Sequence, residues 1–380
     1  MVKLNFWSIL LFLIISFTVN AQTISEYNEV DEKIAQFTSP IDGKVINKLV
    51  AFINDNFSTE TDKLRAITVW IANNFDYDIE NMDTYKYYSE LQEVIDAILK
   101  NKKGICAHFA NLFSEIANRL GTKTYVVSGY TGKFGFINSE PHAWCASFVD
   151  SAWFLIDPTW FTGHRQGQEF VKKQNDYYFK AVPEDLIKSH MPFDPLWQFL
   201  YYPVSPQEFN EGRTIINEEN PFFNYVDTLK VYENSSAIER LVSTLRRIEQ
   251  FNENNTLTAN QLQHIESEKE CYKNRISIAY YNSAVDFYNE GVDKLNSFIN
   301  QWNKKQITQK PEAEIRIMIK SIEKTLNNSQ NELQKINTTN PTTIKSINEF
   351  KISINGTFAR VKDLKDFIDK HFSTKKPVKR

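Results

Sequence analysis

Three residue types that together support nucleophilic acyl transfer occur in order along this chain: a thiol, an imidazole and a carboxylate. Cys106 lies in Gly-Ile-Cys-Ala-His-Phe-Ala, His142 begins His-Ala-Trp, and Asp157 begins Asp-Pro-Thr-Trp. In such sites the thiolate attacks a carbonyl carbon, the imidazole transfers a proton, and the carboxylate orients the imidazole. The trio therefore indicates a reaction type, acyl transfer through a covalent intermediate, but no particular substrate.

The sequence around Cys106 predicts that this thiol lies in the first turn of a helix. Apolar side chains recur at helical spacing through residues 105–120. A helix N-terminus stabilises a thiolate, and its free backbone N–H groups can bind an oxyanion. Gly104 is expected to leave the backbone open just before the nucleophile. The alternative interpretation of this local pattern is a small, buried core cysteine.

Two strand-like runs, 142–149 and 152–158, are separated by only two residues. Pairing across a two-residue turn puts His142 and Asp157 on the same face of the sheet, one diagonal step apart. A carboxylate in that position fixes the tautomer of the imidazole and stabilises its cation. The same parity puts Cys145 on the opposite face, which predicts a core residue rather than a second nucleophile.

The elements that must position this trio indicate an α+β fold. Helical patterns cover about 46–57, 61–74 and 90–100, whereas strand patterns follow the Cys106 helix. Helices followed by a meandering run of strands are typical of an antiparallel sheet with segregated helices. Residues 176–225 are rich in aromatic side chains and proline, and we expect them to form an irregular wrap over the core.

After about residue 230 the pattern becomes entirely helical. Ser236-x-x-Glu239 is a capping box, and helical patterns cover 258–304 and the segments after Pro311 and Pro341. These patterns predict an all-α antiparallel bundle or hairpin. Its role is open between a stabilising or spacing appendage and an arm that docks a protein partner.

Composition and the N-terminus restrict the classes of function. The net charge of -3 over 380 residues gives no overall basic field for nucleic acid. Residues 1–21 resemble a signal peptide, with a transmembrane anchor as the alternative, and no later segment is apolar enough to span a membrane. We therefore expect an exported protein that is periplasmic, surface-associated or secreted.

The cysteines and histidines give no metal-ligand spacing. The chain contains three cysteines, an odd count that leaves at least one thiol unpaired. A disulfide between Cys145 and Cys271 stays open as an alternative. Because no CxxC, HxxxH or HxH motif occurs, we expect no metal site and no cofactor.

The three motifs resemble, in their residues and order, those of the transglutaminase-like superfamily. The branch that they indicate contains bacterial secreted, cytokinesis-associated and kyphoscoliosis-peptidase-like proteins. Segments at 65–78 and 190–198 are also similar to that family, so the resemblance covers roughly residues 45–225. It divides the chain into the signal peptide, a transglutaminase-like domain at 22–229 and a helical domain at 230–380.

The resemblance implies a papain-like fold in which Cys106, His142 and Asp157 form a catalytic triad. Trp70, Tyr77 and Trp160 are candidates for the cleft or the oxyanion site, with core packing as the alternative for each. The family often has asparagine where this chain has Cys145. Since that side chain is expected to face away from the site, the difference does not argue against catalysis.

The family includes protein-crosslinking transamidases, peptidases and peptide-N-glycanase relatives, and some of its members are inactive. The sequence therefore predicts a cysteine peptidase or transglutaminase-like acyltransferase that acts on protein or peptide amide bonds. Water or an amine would resolve the acyl-enzyme, with hydrolysis slightly favoured. The alternative is an inactive transglutaminase-like module that binds a protein or envelope partner.

Overall fold

The computed structural model describes residues 26–82, 90–133, 135–251 and 255–375. The predicted signal peptide lies outside these described residues. The chain divides into two compact units, between Phe223 and Asn224. Within the described ranges, no helix is both long enough and apolar enough to cross a membrane.

The first unit combines helices with short strands, as the α+β prediction requires. Its helices are α1 (Asn28–Ile34), α2 (Val45–Asn56), α3 (Glu60–Asn74), α4 (Leu91–Asn101), α5 (Cys106–Arg119), α6 (Pro158–Thr162), α7 (Pro183–Leu186) and α8 (Pro206–Asn210). Its strands are β1 (Asp76–Tyr77), β2 (Lys103–Gly104), β3 (Thr124–Lys133), β4 (Phe136–Val149), β5 (Ala152–Ile156), β6 (Gly163–Gln166), β7 (Glu169–Lys172) and β8 (His190–Pro192).

The main sheet is antiparallel, with the strand order β5-β4-β3-β8. Helix α5 packs against one face of β4, where the Cys145 thiol donates a hydrogen bond to the carbonyl oxygen of Ala110 at 3.2 Å. The side chains along this face are fully buried in the main hydrophobic core. The predicted core position of Cys145 is therefore confirmed.

The turn between β4 and β5 fixes which side chains share a face. Val149 pairs with Ala152 and Cys145 with Ile156, which is the register expected for a two-residue turn. Asp150 and Ser151 have φ values of 50° and 66°, and positive φ at both turn residues is typical of a type I′ turn. Its right-handed twist matches the strands, so the register follows from local geometry.

The segment 176–225 is more regular than the sequence predicts. Strand β8 within it pairs with β3 through Thr131↔His190 and Gly129↔Pro192 and extends the sheet. The prediction of a purely irregular wrap is therefore wrong at this point. A three-residue strand that contains proline gives no alternating pattern, and only its position at a sheet edge tolerates the missing N–H.

The second unit is helical, as predicted. Its helices are α9 (Tyr225–Asn234), α10 (Ala237–Phe251), α11 (Thr256–Asn303), α12 (Glu312–Gln334) and α13 (Pro341–Lys375). The predicted capping box forms, since the Ser236 N–H donates to the Glu239 carboxylate at 2.8 Å and the Glu239 N–H donates to the Ser236 hydroxyl at 3.4 Å. Apolar side chains of α11, α12 and α13 form a shared core. The expected domain boundary at 229/230 falls within α9.

Gly129 allows β3 to approach its neighbours closely. A Cβ atom at this position would collide with the Met191 carbonyl oxygen and the Trp144 ring. We expect Gly129→Ala to lower the free energy of unfolding by about 3 kcal/mol, because rigid backbone and an aromatic ring would both have to move. Urea denaturation followed by tryptophan fluorescence measures this change.

Gly43 provides the matched control for that substitution. A Cβ atom there meets nothing within 4 Å, so Gly43→Ala should change stability by no more than about 0.5 kcal/mol. Equal effects of the two substitutions would contradict the assignment of Gly129 to a close-contact position.

Candidate active site

The thiol of Cys106 lies at the N-terminus of α5, as the sequence predicts. Cys106 is the first residue of the helix, and it is 8% exposed. At the start of the helix, Nδ1 of His108 accepts a hydrogen bond from the Ile105 N–H at 3.2 Å. Burial lowers the pKa of His108, and Asp78 offsets this only in part. The imidazole is therefore neutral, and its unprotonated Nδ1 can accept the hydrogen bond.

Gly104 serves a different purpose from the one expected. A Cβ atom at this position would overlap the Cβ and Cγ atoms of His108. Gly104 is therefore required by the packing of the His108 ring at the helix start. The expectation that glycine keeps the backbone open for an incoming group has no support in these contacts.

His142 and Asp157 meet as the hairpin parity predicts. Nε2 of His142 lies 2.8 Å from Oδ2 of Asp157. Strand β5 ends at Ile156 rather than at 158, and Asp157 is the N-cap residue of α6. The strand ends there because Pro158 occupies the first position of a helix. The side chain of Asp157 nevertheless stays on the side of His142.

Asp157 is a fully buried carboxylate with donors on both oxygens. Oδ1 accepts the N–H groups of Thr159 at 2.9 Å and Trp160 at 3.1 Å. Oδ2 contacts the imidazoles of His142, at 2.8 Å, and His190, at 3.0 Å. Burial by itself would raise the pKa of Asp157, but the two imidazoles hold that pKa well below its usual range. The group is therefore anionic at physiological pH.

The geometry fixes the tautomer of His142. Because Nε2 faces an anionic acceptor, it carries a proton, which leaves Nδ1 for other partners. Cys106 lies close enough to His142 to help raise the pKa of its imidazole. Burial would lower the pKa of His142, but Asp157 and Cys106 together raise it to about 10. An imidazolium can therefore persist between the thiol and the carboxylate across the physiological range of pH.

His190 belongs to this site, although its sequence context gave it no role. It is 1% exposed, and it reaches Asp157 from β8, on the opposite edge of the sheet from β5. Thirty-three residues separate the two positions along the chain. The only signal in the sequence was the resemblance of the segment 190–198 to the family, which did not single out the histidine.

Tyr77, a candidate for the cleft or oxyanion site, lies beside Cys106. Strand β1 pairs with β2 in parallel, with Tyr77 opposite Gly104, and this brings the hydroxyl to the helix start. Cys106 lies close enough to Tyr77 to influence the pKa of its hydroxyl. Burial is the main cause that raises the pKa of Tyr77, and the neighbouring Cys106 raises it further. The hydroxyl therefore keeps its proton. Its ring stacks on Phe170 at 5.2 Å.

The two candidate tryptophans have different positions. Trp160 is partly exposed and contacts the ring of His190 at 4.6 Å and that of His142 at 5.6 Å. Trp70 is buried in the main core and packs edge-on against Phe75 at 5.4 Å. Trp160 therefore lies at the site, whereas the contacts of Trp70 favour the core-packing alternative.

The remaining cysteines take no part in this arrangement. Cys145 and Cys271 are both free thiols, so the disulfide left open by the sequence is not formed. Burial raises the pKa of Cys145, which keeps it protonated in the core. Cys271 is exposed on α11 in the second unit.

Among the described residues, His142, Asp157 and His190 also offer three potential ligand atoms within 4.8 Å of one another. The sequence gave no sign of this cluster, because its members come from three separate segments. A metal ion at this position would have to displace the protons that both imidazoles direct at Asp157. The observed distances of 2.8 and 3.0 Å are those of hydrogen bonds.

Comparisons with known proteins agree with the resemblance in the motifs. Residues 47–158 match the model of the transglutaminase-like superfamily, a segment that contains Cys106, His142 and Asp157. Kyphoscoliosis peptidase of Mus musculus is 27% identical over 187 residues, which cover 47% of this chain and 27% of that protein. Hillarin of Drosophila melanogaster is 23% identical over 204 residues, covering 48% and 24%. The chain thus spans less than a third of the length of these relatives.

Solved structures give matches of similar extent. A structure described as a TGase has 23% identity and a TM-score of 0.25, and the match covers 43% of this chain and 40% of the other. The periplasmic domain of TgpA from Pseudomonas aeruginosa has 19% identity and a TM-score of 0.26, with coverage of 35% and 47%.

Proposed function

Because residues 47–158 carry a transglutaminase-like core, we propose that this chain is a thiol enzyme acting on amide bonds of proteins or peptides. The observation that carries the proposal is the 2.8 Å contact of His142 with the buried Asp157, together with the proximity of Cys106, at the start of α5, to the same imidazole. A thiol, an imidazole and a buried anionic carboxylate, joined in this order, match the requirements of nucleophilic catalysis.

In the proposed reaction the Cys106 thiolate attacks the carbonyl carbon of the amide. The C–N bond breaks, and the proton on Nδ1 of His142 passes to the leaving amine, which gives a thioester. Water or a second amine then attacks the thioester, and Nδ1 takes up its proton. Release of the acid or the new amide restores the thiolate and the imidazolium. Asp157 keeps its charge and orients His142 throughout.

Two donors next to Cys106 suit the negative oxygen of the tetrahedral intermediate. One is the Cys106 N–H at the start of α5, where the helix dipole favours an anion. The other is the Tyr77 hydroxyl, which already contacts that residue and keeps its proton. An oxyanion that accepts a hydrogen bond from the Cys106 N–H could accept a second hydrogen bond from the Tyr77 hydroxyl.

The acceptor that resolves the thioester defines the enzyme class. We propose hydrolysis as the main outcome, with transfer to an amine as the competing one. Export from the cytoplasm is a further part of the proposal and rests on the sequence of residues 1–21. For the helical unit after Phe223 we propose one of two roles: it stabilises the chain, or it docks a protein partner.

The pH dependence of Cys106 alkylation tests the proposal. A thiol with a pKa near 8.5 is only about 0.3% ionised at pH 6. The His142 imidazolium, whose pKa is raised to about 10, lies beside Cys106 and is the proposed source of its reactivity at this pH. We expect His142→Ala to lower the iodoacetamide rate of Cys106 at pH 6 by about 10- to 100-fold, because the substitution removes the cation beside the attacking sulfur.

Mass spectrometry of the separate cysteine peptides gives the rate at each thiol. The exposed Cys271 provides a reference in the same sample, and its rate should not respond to His142→Ala. A Cys106 profile that is the same in both proteins would contradict the enzyme proposal and favour a binding module.

A further inference from the structure

His190 completes the hydrogen bonding of the carboxylate at the centre of the site. A carboxylate offers about four acceptor positions, and Asp157 has four partners within 3.1 Å: two backbone N–H groups on Oδ1 and two imidazoles on Oδ2. Without His190, the oxygen that faces His142 would keep a single partner in a fully buried position.

We propose that His190 is a positioning residue that holds the Asp157 carboxylate in the orientation needed to support His142. This inference rests on the proposed function and adds a positioning residue to its triad. The polar partners of His190 within the described residues are Asp157 and Ser189, so it acts on the thiol through Asp157.

The hydrogen bonds of His190 define its protonation state. Its Nε2 faces Asp157 at 3.0 Å, and its Nδ1 lies 2.8 Å from the Ser189 hydroxyl. With an anionic acceptor on one side, Nε2 carries the proton, and Nδ1 accepts from Ser189. Burial lowers the pKa of His190, so the residue donates to Asp157 as a neutral ring.

This neutrality distinguishes the two imidazoles on the same oxygen. His142 contacts Cys106 and is the one that gains a proton, whereas His190 is a fixed donor. A second cation at His190 would compete with His142 for the charge of Asp157. A neutral donor restrains the carboxylate and leaves its charge available to His142.

The aromatic side chains around His190 hold its ring in place. Trp160 lies edge-on at 4.6 Å, Trp144 edge-on at 5.1 Å, and Tyr178 at 5.8 Å. Strand β8 fixes the backbone, since Thr131 pairs with His190. Both the ring and its backbone are therefore restrained before any substrate binds, as positioning requires.

Two substitutions of equal length separate positioning from packing. Glutamine can place an amide N–H near the position of Nε2, whereas methionine has no donor. We expect His190→Met to lower the Cys106 alkylation rate at pH 6 by about 10-fold. His190→Gln should retain at least about a third of the wild-type rate. His164→Gln, at an exposed histidine of β6, is the control and should match wild type.

Rates are compared with Cys271 in the same sample, and melting temperatures are recorded for each variant. Equal loss in the methionine and glutamine variants, with a matching fall in melting temperature, would overturn the inference in favour of a packing role. A methionine variant as reactive as wild type would also overturn it.

Nitrogen NMR of the histidine rings tests the arrangement even if Cys106 is not activated. At pH 7 the inference requires His190 to carry its proton on Nε2, and this signal should be absent from His190→Gln. A proton on Nδ1 of His190 would overturn the inference. A bound metal ion would remove the Nε2 protons of both His142 and His190. The absence of both proton signals would therefore also overturn the inference. A reactivity of Cys106 no greater than that of a free thiol in wild type would instead count against the proposed function.

Discussion

Replacing Cys106 with alanine should reduce the turnover of a protein amide substrate by about 10⁴-fold or more. The substitution removes the atom that forms the thioester, and loss of the nucleophile in comparable triads costs this much or more because the remaining groups act only as a unit. Cys106 is small and 8% exposed, so alanine should leave the fold intact. Unchanged melting temperature serves as the check on folding.

One assay measures both outcomes of the acyl-enzyme. Casein incubated with a fluorescent primary amine gains the label if an amine resolves the thioester, and it releases new amino groups if water does. Both signals should disappear in Cys106→Ala. Cys271→Ala, at an exposed thiol in the second unit, is the matched control and should retain full activity. Activity that survives in Cys106→Ala would exclude the proposed nucleophile.

Replacing Arg65 with alanine should lower the free energy of unfolding of the first unit by about 3–5 kcal/mol. Arg65 is 2% exposed, and its guanidinium binds Asp31 through two hydrogen bonds, at 2.7 and 2.6 Å, and Asp176 through one, at 2.6 Å. It also lies 4.8 Å from the ring centroids of both Tyr27 and Phe161. The substitution would remove these contacts together and leave a cavity.

Tryptophan fluorescence during urea denaturation follows this unit, because five of the seven tryptophans lie between residues 70 and 197. Arg65→Lys keeps the charge but loses the planar fork, so it should fall between wild type and Arg65→Ala. Arg165, an exposed arginine on β6, is the control, and Arg165→Ala should stay within about 0.5 kcal/mol of wild type. A similar decrease in the free energy of unfolding for Arg65→Ala and Arg165→Ala would mean that the contacts of Arg65 contribute little to stability.

Much of the first unit could be predicted from the sequence because its signals are local. The helical periodicity around Cys106 predicted the thiol in the first turn of a helix, and Cys106 is the first residue of α5. A two-residue turn fixed the register of β4 and β5, so the contact between His142 and Asp157 followed from counting residues. The segment that matches the superfamily contains the same trio.

Other parts of the site depend on residues that are far apart in the chain. His190 meets Asp157 because β8 returns to the edge of the sheet, and no periodicity in its three residues indicates that path. Tyr77 meets Cys106 through a two-residue parallel pairing that is too short to leave a pattern. Gly104 was assigned to an open backbone, whereas its real neighbour is the ring of His108.

The sequence by itself determined the order of the proposed triad residues, the helices that precede the sheet, and the face shared by His142 and Asp157. These features depend on residues within one helix or one hairpin, where the spacing along the chain sets the geometry. Tertiary structure alone decided that Asp157 has a second imidazole, that Tyr77 lies opposite Gly104 beside the Cys106 helix, and that Arg65 joins Asp31 to Asp176. Those contacts join segments that are far apart in the chain, so no local spacing in the sequence encodes them.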